Sequence, residues 1–148
     1  ESLLEITKIK GLKLLCSYYP IDVSPEVFEK FLKHRNMSNL QVFGINTLLE
    51  HQISFLQIIS ECAPNLAVFS TRLCRGESDL TPIRNILMTC KKLVYLSLEN
   101  FFRKPEDLQG IVDFENLPPQ LHFLEVGFSD GSTERHIYKI NNIKIYGS

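Results

Sequence analysis

Between Cys90 and Phe101 the chain reads CKKLVYLSLENF, with Leu93, Leu96, Leu98 and Phe101 in the order L-x-x-L-x-L-x-x-F. A strand turns successive side chains to opposite faces, so Leu96 and Leu98 share one side while Tyr95, Ser97 and Glu99 share the other. The same anchor spacing recurs as Ile9/Leu12/Leu14, Leu40/Phe43/Ile45, Leu66/Phe69/Thr71, Leu93/Leu96/Leu98, Leu121/Leu124/Val126 and Ile140/Ile143/Ile145. First anchors at 9, 40, 66, 93, 121 and 140 are separated by 31, 26, 27, 28 and 19 residues. Three consecutive intervals within two residues of one another point to a repeat. The expectation is six strands in one parallel sheet, in chain order, with Leu14, Ile45, Thr71, Leu98, Val126 and Ile145 stacked inside.

The segments between these strands carry helix signals. In DVSPEVFEKFLKHR, Ser24 stands as N-cap before Pro25, and Val27, Phe28, Phe31 and Leu32 form one apolar stripe. HQISFLQIISEC repeats the theme through Ile53, Leu56, Ile58 and Ile59, and DLTPIRNILMTC does so with Thr81 as cap before Pro82. KPEDLQGIVDF is a weaker helix, since Gly110 costs about 1 kcal/mol relative to alanine. The last connection, from Ser129 to Lys139, reads as a loop.

Composition narrows the field without naming a partner. The 148 residues, 44% of them apolar, suffice for one extended core, and 16 basic against 17 acidic residues leave a formal charge of −1. That balance provides no whole-chain field for nucleic acid or a membrane surface. No apolar run is long enough to span a bilayer, and no secretory leader opens the chain, which starts at Glu1 and reads as one domain, residues 1–148, excised from a longer protein. The four cysteines, Cys16, Cys62, Cys74 and Cys90, are scattered and lack a C-x-x-C pair, so a reduced cytoplasmic or nuclear setting is expected. The dispersed histidines His34, His51, His122 and His136 offer no metal-ligand spacing, and no cofactor is expected.

Cys62 and Cys90 each stand at a helix end, in CAPNL and CKKL, shortly before a strand's first leucine. The resulting C-x-x-L-x-x-L-x-L resembles the cysteine-containing subclass of leucine-rich repeats found in many F-box substrate receptors of cullin-based ubiquitin ligases. The resemblance implies an α/β solenoid, a right-handed horseshoe segment of about six parallel strands with helices or loops on the convex side. It also implies a protein partner on the concave face and a ligase adaptor bound through a segment outside this chain. A scaffold or inhibitor with the same solenoid and no ligase link is the alternative.

Strand alternation then names the outward residues. The third positions are Gly11, Val42, Val68, Tyr95, Phe123 and Asn142; the fifth are Lys13, Gly44, Ser70, Ser97, Glu125 and Lys144; the seventh are Leu15, Asn46, Arg72, Glu99, Gly127 and Tyr146. An apolar strip beside a trough of small residues, flanked by Arg72 and Glu99, is the expected protein-binding surface: Val42, Val68, Ser70, Arg72, Tyr95, Ser97, Glu99, Phe123 and Glu125. The competing explanation is that the valines follow strand propensity and the aromatics fold over their neighbours. Catalysis finds little footing. Ser129, Asp130 and His136 lie within a polar loop with no oxyanion site in view, and Cys74 beside Arg75 sits at a repeat position that favours a structural role, so no enzyme is expected.

Overall fold

Along Val68–Arg72 the side chains run half-buried, buried, half-buried, buried and exposed, the period of a strand with one covered face. That rule organises the whole fold. The computed structural model describes residues 2–21, 23–34, 37–47, 52–72, 80–102, 105–128 and 135–139. Its elements in chain order are α1 (Ser2–Ile6), β1 (Leu14–Ile21), α2 (Pro25–Lys33), β2 (Val42–Thr47), α3 (Gln52–Cys62), β3 (Val68–Arg72), α4 (Thr81–Thr89), β4 (Tyr95–Phe102), α5 (Pro105–Gln109), β5 (Phe123–Phe128) and β6 (Arg135–Lys139). The sheet order is β1-β2-β3-β4-β5-β6. The first five strands are parallel and β6 runs antiparallel to β5.

The backbone repeats itself from strand to strand. The N–H groups of Leu40, Leu66, Leu93 and Leu121 donate to the carbonyls of Met37, Ala63, Cys90 and Pro118, three residues back each time. Two residues on, the Lys13 carbonyl accepts from Gln41 and Val42, Gln41 from Ala67 and Val68, Ala67 from Val94 and Tyr95, and Val94 from His122 and Phe123, at 2.7–3.2 Å. Each copy thus hangs on its predecessor through one shared carbonyl, and this fixes the register of everything downstream.

That register corrects the first copy. Leu14 pairs with Val42, so Leu12 is the true first anchor and Leu14 faces outward, 59% exposed, rather than inward. Ile9 belongs to the turn after α1, where the N–H groups of Thr7, Lys8 and Ile9 donate to Leu4, Glu5 and Ile6, and Gly11 takes the left-handed φ of 73° that leads into the strand. The run LKLL allowed two frames three residues apart, and the backbone selects the one whose sixth position, Ser17, is polar. First anchors at 12, 40, 66, 93 and 121 are separated by 28, 26, 27 and 28 residues, a more even period than the sequence suggested.

The far end also differs. Six parallel strands were expected, but the sixth strand is Arg135–Lys139, within the segment read as a loop, and it returns antiparallel along β5. The copy at Ile140, Ile143 and Ile145 lies outside the described residues, as do Cys74, Arg75, Ser129 and Asp130.

The interior columns are otherwise as expected: Ile45, Thr71, Leu98 and Val126 pair in register, and so do Phe43, Phe69, Leu96 and Leu124. All eight are buried. Helix side chains cover them, with the Phe28 ring of α2 stacked on Phe55 of α3 at 4.2 Å and on Phe43 at 6.0 Å, and Phe43 on Phe69 at 6.3 Å. Pro82, Ile83, Ile86 and Leu87 of α4 extend the same core. Proline stands within the first two positions of α2, α4 and α5. Ser24 caps α2 through its carbonyl, which accepts from Val27 and Phe28, with no side-chain cap bond, while the cap of α4 is Leu80 and Thr81 already lies within the helix. The α5 helix stops before Gly110, as its propensity requires.

Candidate functional site: the open face of the sheet

With helices packed on one side, the odd positions of β1–β5 make up the opposite, open face. Its third-position row runs Leu14, Val42, Val68, Tyr95, Phe123, each paired with the next across the sheet. Neighbouring strands lie ~4.8 Å apart, so five apolar or aromatic side chains form a continuous stripe of about 20 Å. Leu14 and Phe123, its ends, are 59% and 39% exposed, and Val42, Val68 and Tyr95 between them are half-buried. Gly11, assigned to this row from the sequence, is replaced by Leu14, and the stripe becomes apolar from end to end.

Beside it the fifth-position row runs Cys16, Gly44, Ser70, Ser97, Glu125. Small side chains here leave an open cleft of about 200 Å³, lined by Cys16, Gly44, Ser70, Asn46, Arg72 and Glu99 among others. Gly44 is a close-approach position, since a Cβ there would stand 3.1 Å from the Cys16 sulfur. The seventh positions close the cleft: the Arg72 Nε lies 3.7 Å from a Glu99 carboxylate oxygen, and because Arg72 is well exposed the pair stabilises the fold by about 1 kcal/mol at most.

Tyr95 does not stand clear of its neighbours on this face. Its phenol donates a hydrogen bond to the Glu125 carboxylate, one strand over and two residues along. Ser97, expected to lie in the exposed trough, is instead buried, at 5% exposure. Tyr95 precedes Ser97 by two positions on β4 and Glu125 pairs with Ser97 across the sheet, so the bond between them joins two residues that flank Ser97. Strand alternation signalled which residues face outward, but not that two of them would join.

The remaining nominated residues, Val42, Val68, Ser70, Arg72, Glu99, Phe123 and Glu125, all lie on this one face, as their registers require. Cys90 does not: it is buried at the turn before β4, where its thiol donates to the Ala63 carbonyl at 3.5 Å and burial pushes its pKa up. Ala63 holds the equivalent place one copy earlier, so Cys62 is one residue out of frame and only half-buried. Among the described residues no three His, Cys, Asp or Glu side chains converge as metal ligands, and no helix is long and apolar enough to cross a membrane. No family model matches the chain, and no curated protein matches it in sequence.

Proposed function

We propose that the chain is a leucine-rich-repeat domain, a right-handed αβ horseshoe segment whose open sheet face binds a protein partner, and that it serves as the substrate-recognition part of an F-box-type ubiquitin ligase. The observation that carries the binding role is the unbroken stripe Leu14, Val42, Val68, Tyr95, Phe123 on a face where solvent would favour polar side chains. Aromatic and aliphatic anchors beside a cleft are the usual core of a protein interface. The even spacing of the four backbone steps supports the repeat, and the function is recognition without chemistry.

The ligase link rests on the cysteine motif, and that motif favours a second reading. Of the four equivalent turn positions, Met37, Ala63, Cys90 and Pro118, one is cysteine. A protein-binding scaffold with no ligase connection fits that composition equally well. Partner capture from cell extract tests the shared part: Leu14→Asp and Phe123→Ala are expected to lose partners held by the wild-type chain while their thermal melts stay in place. Retention of every partner by both variants would remove the open face from consideration. Co-precipitation of a ligase adaptor with the protein as it exists in cells separates the two readings, because the scaffold brings none.

A further inference from the structure

Small side chains hold the fifth-position row on four successive strands, as Cys16, Gly44, Ser70 and Ser97. At ~4.8 Å per strand this row makes a trough about 14 Å long between the apolar stripe and the row of Asn46, Arg72 and Glu99. The trough is open from Cys16 to Ser70, which line the cleft, and shut at its last position. Leu96 and Leu98 are fully buried on the helix side, so the Ser97 side chain points to the open face. Yet Ser97 is 5% exposed, and its hydroxyl makes no hydrogen bond among the described residues. A buried hydroxyl without a partner is uncommon and asks for an explanation. The Tyr95 side chain supplies one. It starts two positions before Ser97 on β4 and reaches diagonally to the carboxylate of Glu125, the residue paired with Ser97, so ring and carboxylate meet beside the serine.

We infer that Tyr95 is a lid on this trough, and that the opened trough takes an extended segment of the bound protein with a small residue over Ser97. The inference rests on the open face being a protein-binding surface. While the phenol holds Glu125 the lid is closed and Ser97 stays dry. Turning the Tyr95 side chain to another staggered rotamer lets the trough run unbroken from Cys16 to Ser97. Its length suits about four residues of extended chain. The chemistry of the occupant follows from the floor. A hydroxyl both donates and accepts, so Ser70 and Ser97, paired in register, match the N–H and C=O groups of a peptide backbone, whereas an ammonium or a carboxylate would use only half of what they offer. Glycine and serine let that backbone come close, and a bulky side chain pointing down at Ser97 would be shut out. The segment's apolar residues reach the stripe alongside. A closed lid lowers the apparent affinity by the fraction of molecules in which it stands open, so loosening it tightens binding.

Alkylation of a Ser97→Cys variant, followed by mass spectrometry, reads access to the closed end of the trough. The introduced thiol is expected to react about tenfold or more slowly than the exposed Cys16. Adding Tyr95→Phe, which deletes the phenol bond and keeps the ring, is expected to speed that reaction severalfold with the thermal melt in place. Equal rates with and without Tyr95→Phe would mean that packing alone fixes the ring, and the lid would be overturned. Selection of a phage-displayed random peptide library on the wild-type chain supplies the occupant, with Met88→Ala, on the exposed side of α4, as control. The enriched peptides are expected to share a glycine, alanine or serine next to apolar residues. Leucine in place of that small residue, or Ser97→Ala in the chain, is each expected to weaken binding about tenfold, and Tyr95→Phe to strengthen it about threefold. Peptides that depend on Phe123 and Leu14 yet accept leucine throughout and ignore Ser97→Ala would overturn the inference and leave the binding face standing. Peptides indifferent to Phe123→Ala and Leu14→Asp as well would overturn both.

Discussion

At the scale of single residues, burial sets the energetics. Leu96 is fully buried in the row that the helices cover, so Leu96→Ala is expected to cost about 2–5 kcal/mol through the cavity it leaves. Phe123→Ala, on the open face, is expected to change stability by roughly 1 kcal/mol or less; chemical denaturation of both variants measures the contrast. Thr71 stands in a hydrocarbon column between Ile45 and Leu98, where a buried hydroxyl calls for a bond to a nearby backbone group. Among the described residues it bonds none, so Thr71→Val is expected to stabilise the fold by about 1 kcal/mol. The thiols order themselves in the same way. Burial raises the pKa of Cys62 and Cys90, lowering the fraction present as reactive thiolate, whereas Cys16 is exposed on the open face. Alkylation is expected to reach Cys16 first, Cys62 later and Cys90 only on unfolding. The raised Cys90 pKa means that the unfolded chain loses this proton first as pH rises. Its contribution to stability is therefore whole below the ordinary thiol range and declines above it, which melts at neutral and alkaline pH register.

Secondary-structure elements are held by what their neighbours supply. The α2 helix is nine residues long, short for a helix to persist alone, and it is fixed by Phe28 and Phe31 against Phe43 and Phe55. Phe28→Ala is expected to cost about 3–5 kcal/mol, and Phe28→Leu clearly less, because leucine refills most of the space. If both variants melted with the wild type, the ring stack would not be what joins α2 to the sheet. At this scale the sequence was legible wherever one frame alone satisfied the anchors. Four of six copies had such a frame, and their registers follow it to the residue. The first copy was ambiguous because Leu12, Leu14 and Leu15 satisfy two frames, and the choice depends on the turn at Gly11 and the carbonyl of Lys13, which residue type does not encode. Arg135–Lys139 was missed because five residues beside a Gly- and Ser-containing turn become a strand only when the edge of β5 is there to pair with.

For the whole molecule, a sheet built by one repeated backbone step has a face whose composition is set row by row. The open face could be read from the sequence as a set of residues, and eight of the nine nominated positions are open or half-open there. The ninth, Ser97, was misjudged because the Tyr95–Glu125 bond joins side chains from different rows, and spacing along one strand carries no information about such a bond. Cys16 offers a direct report on whether this face is where partners bind, since its exposed thiol lines the cleft while Cys62 lies on the helix side near Lys33 and Asn65. The decisive experiment follows alkylation of each cysteine by mass spectrometry with and without a captured partner or selected peptide at saturation. Occupation of the open face predicts that labelling of Cys16 slows about tenfold or more while Cys62 keeps its free rate. Unchanged labelling of Cys16 with protection of Cys62 would place the partner on the helices and contradict the reading of the open face.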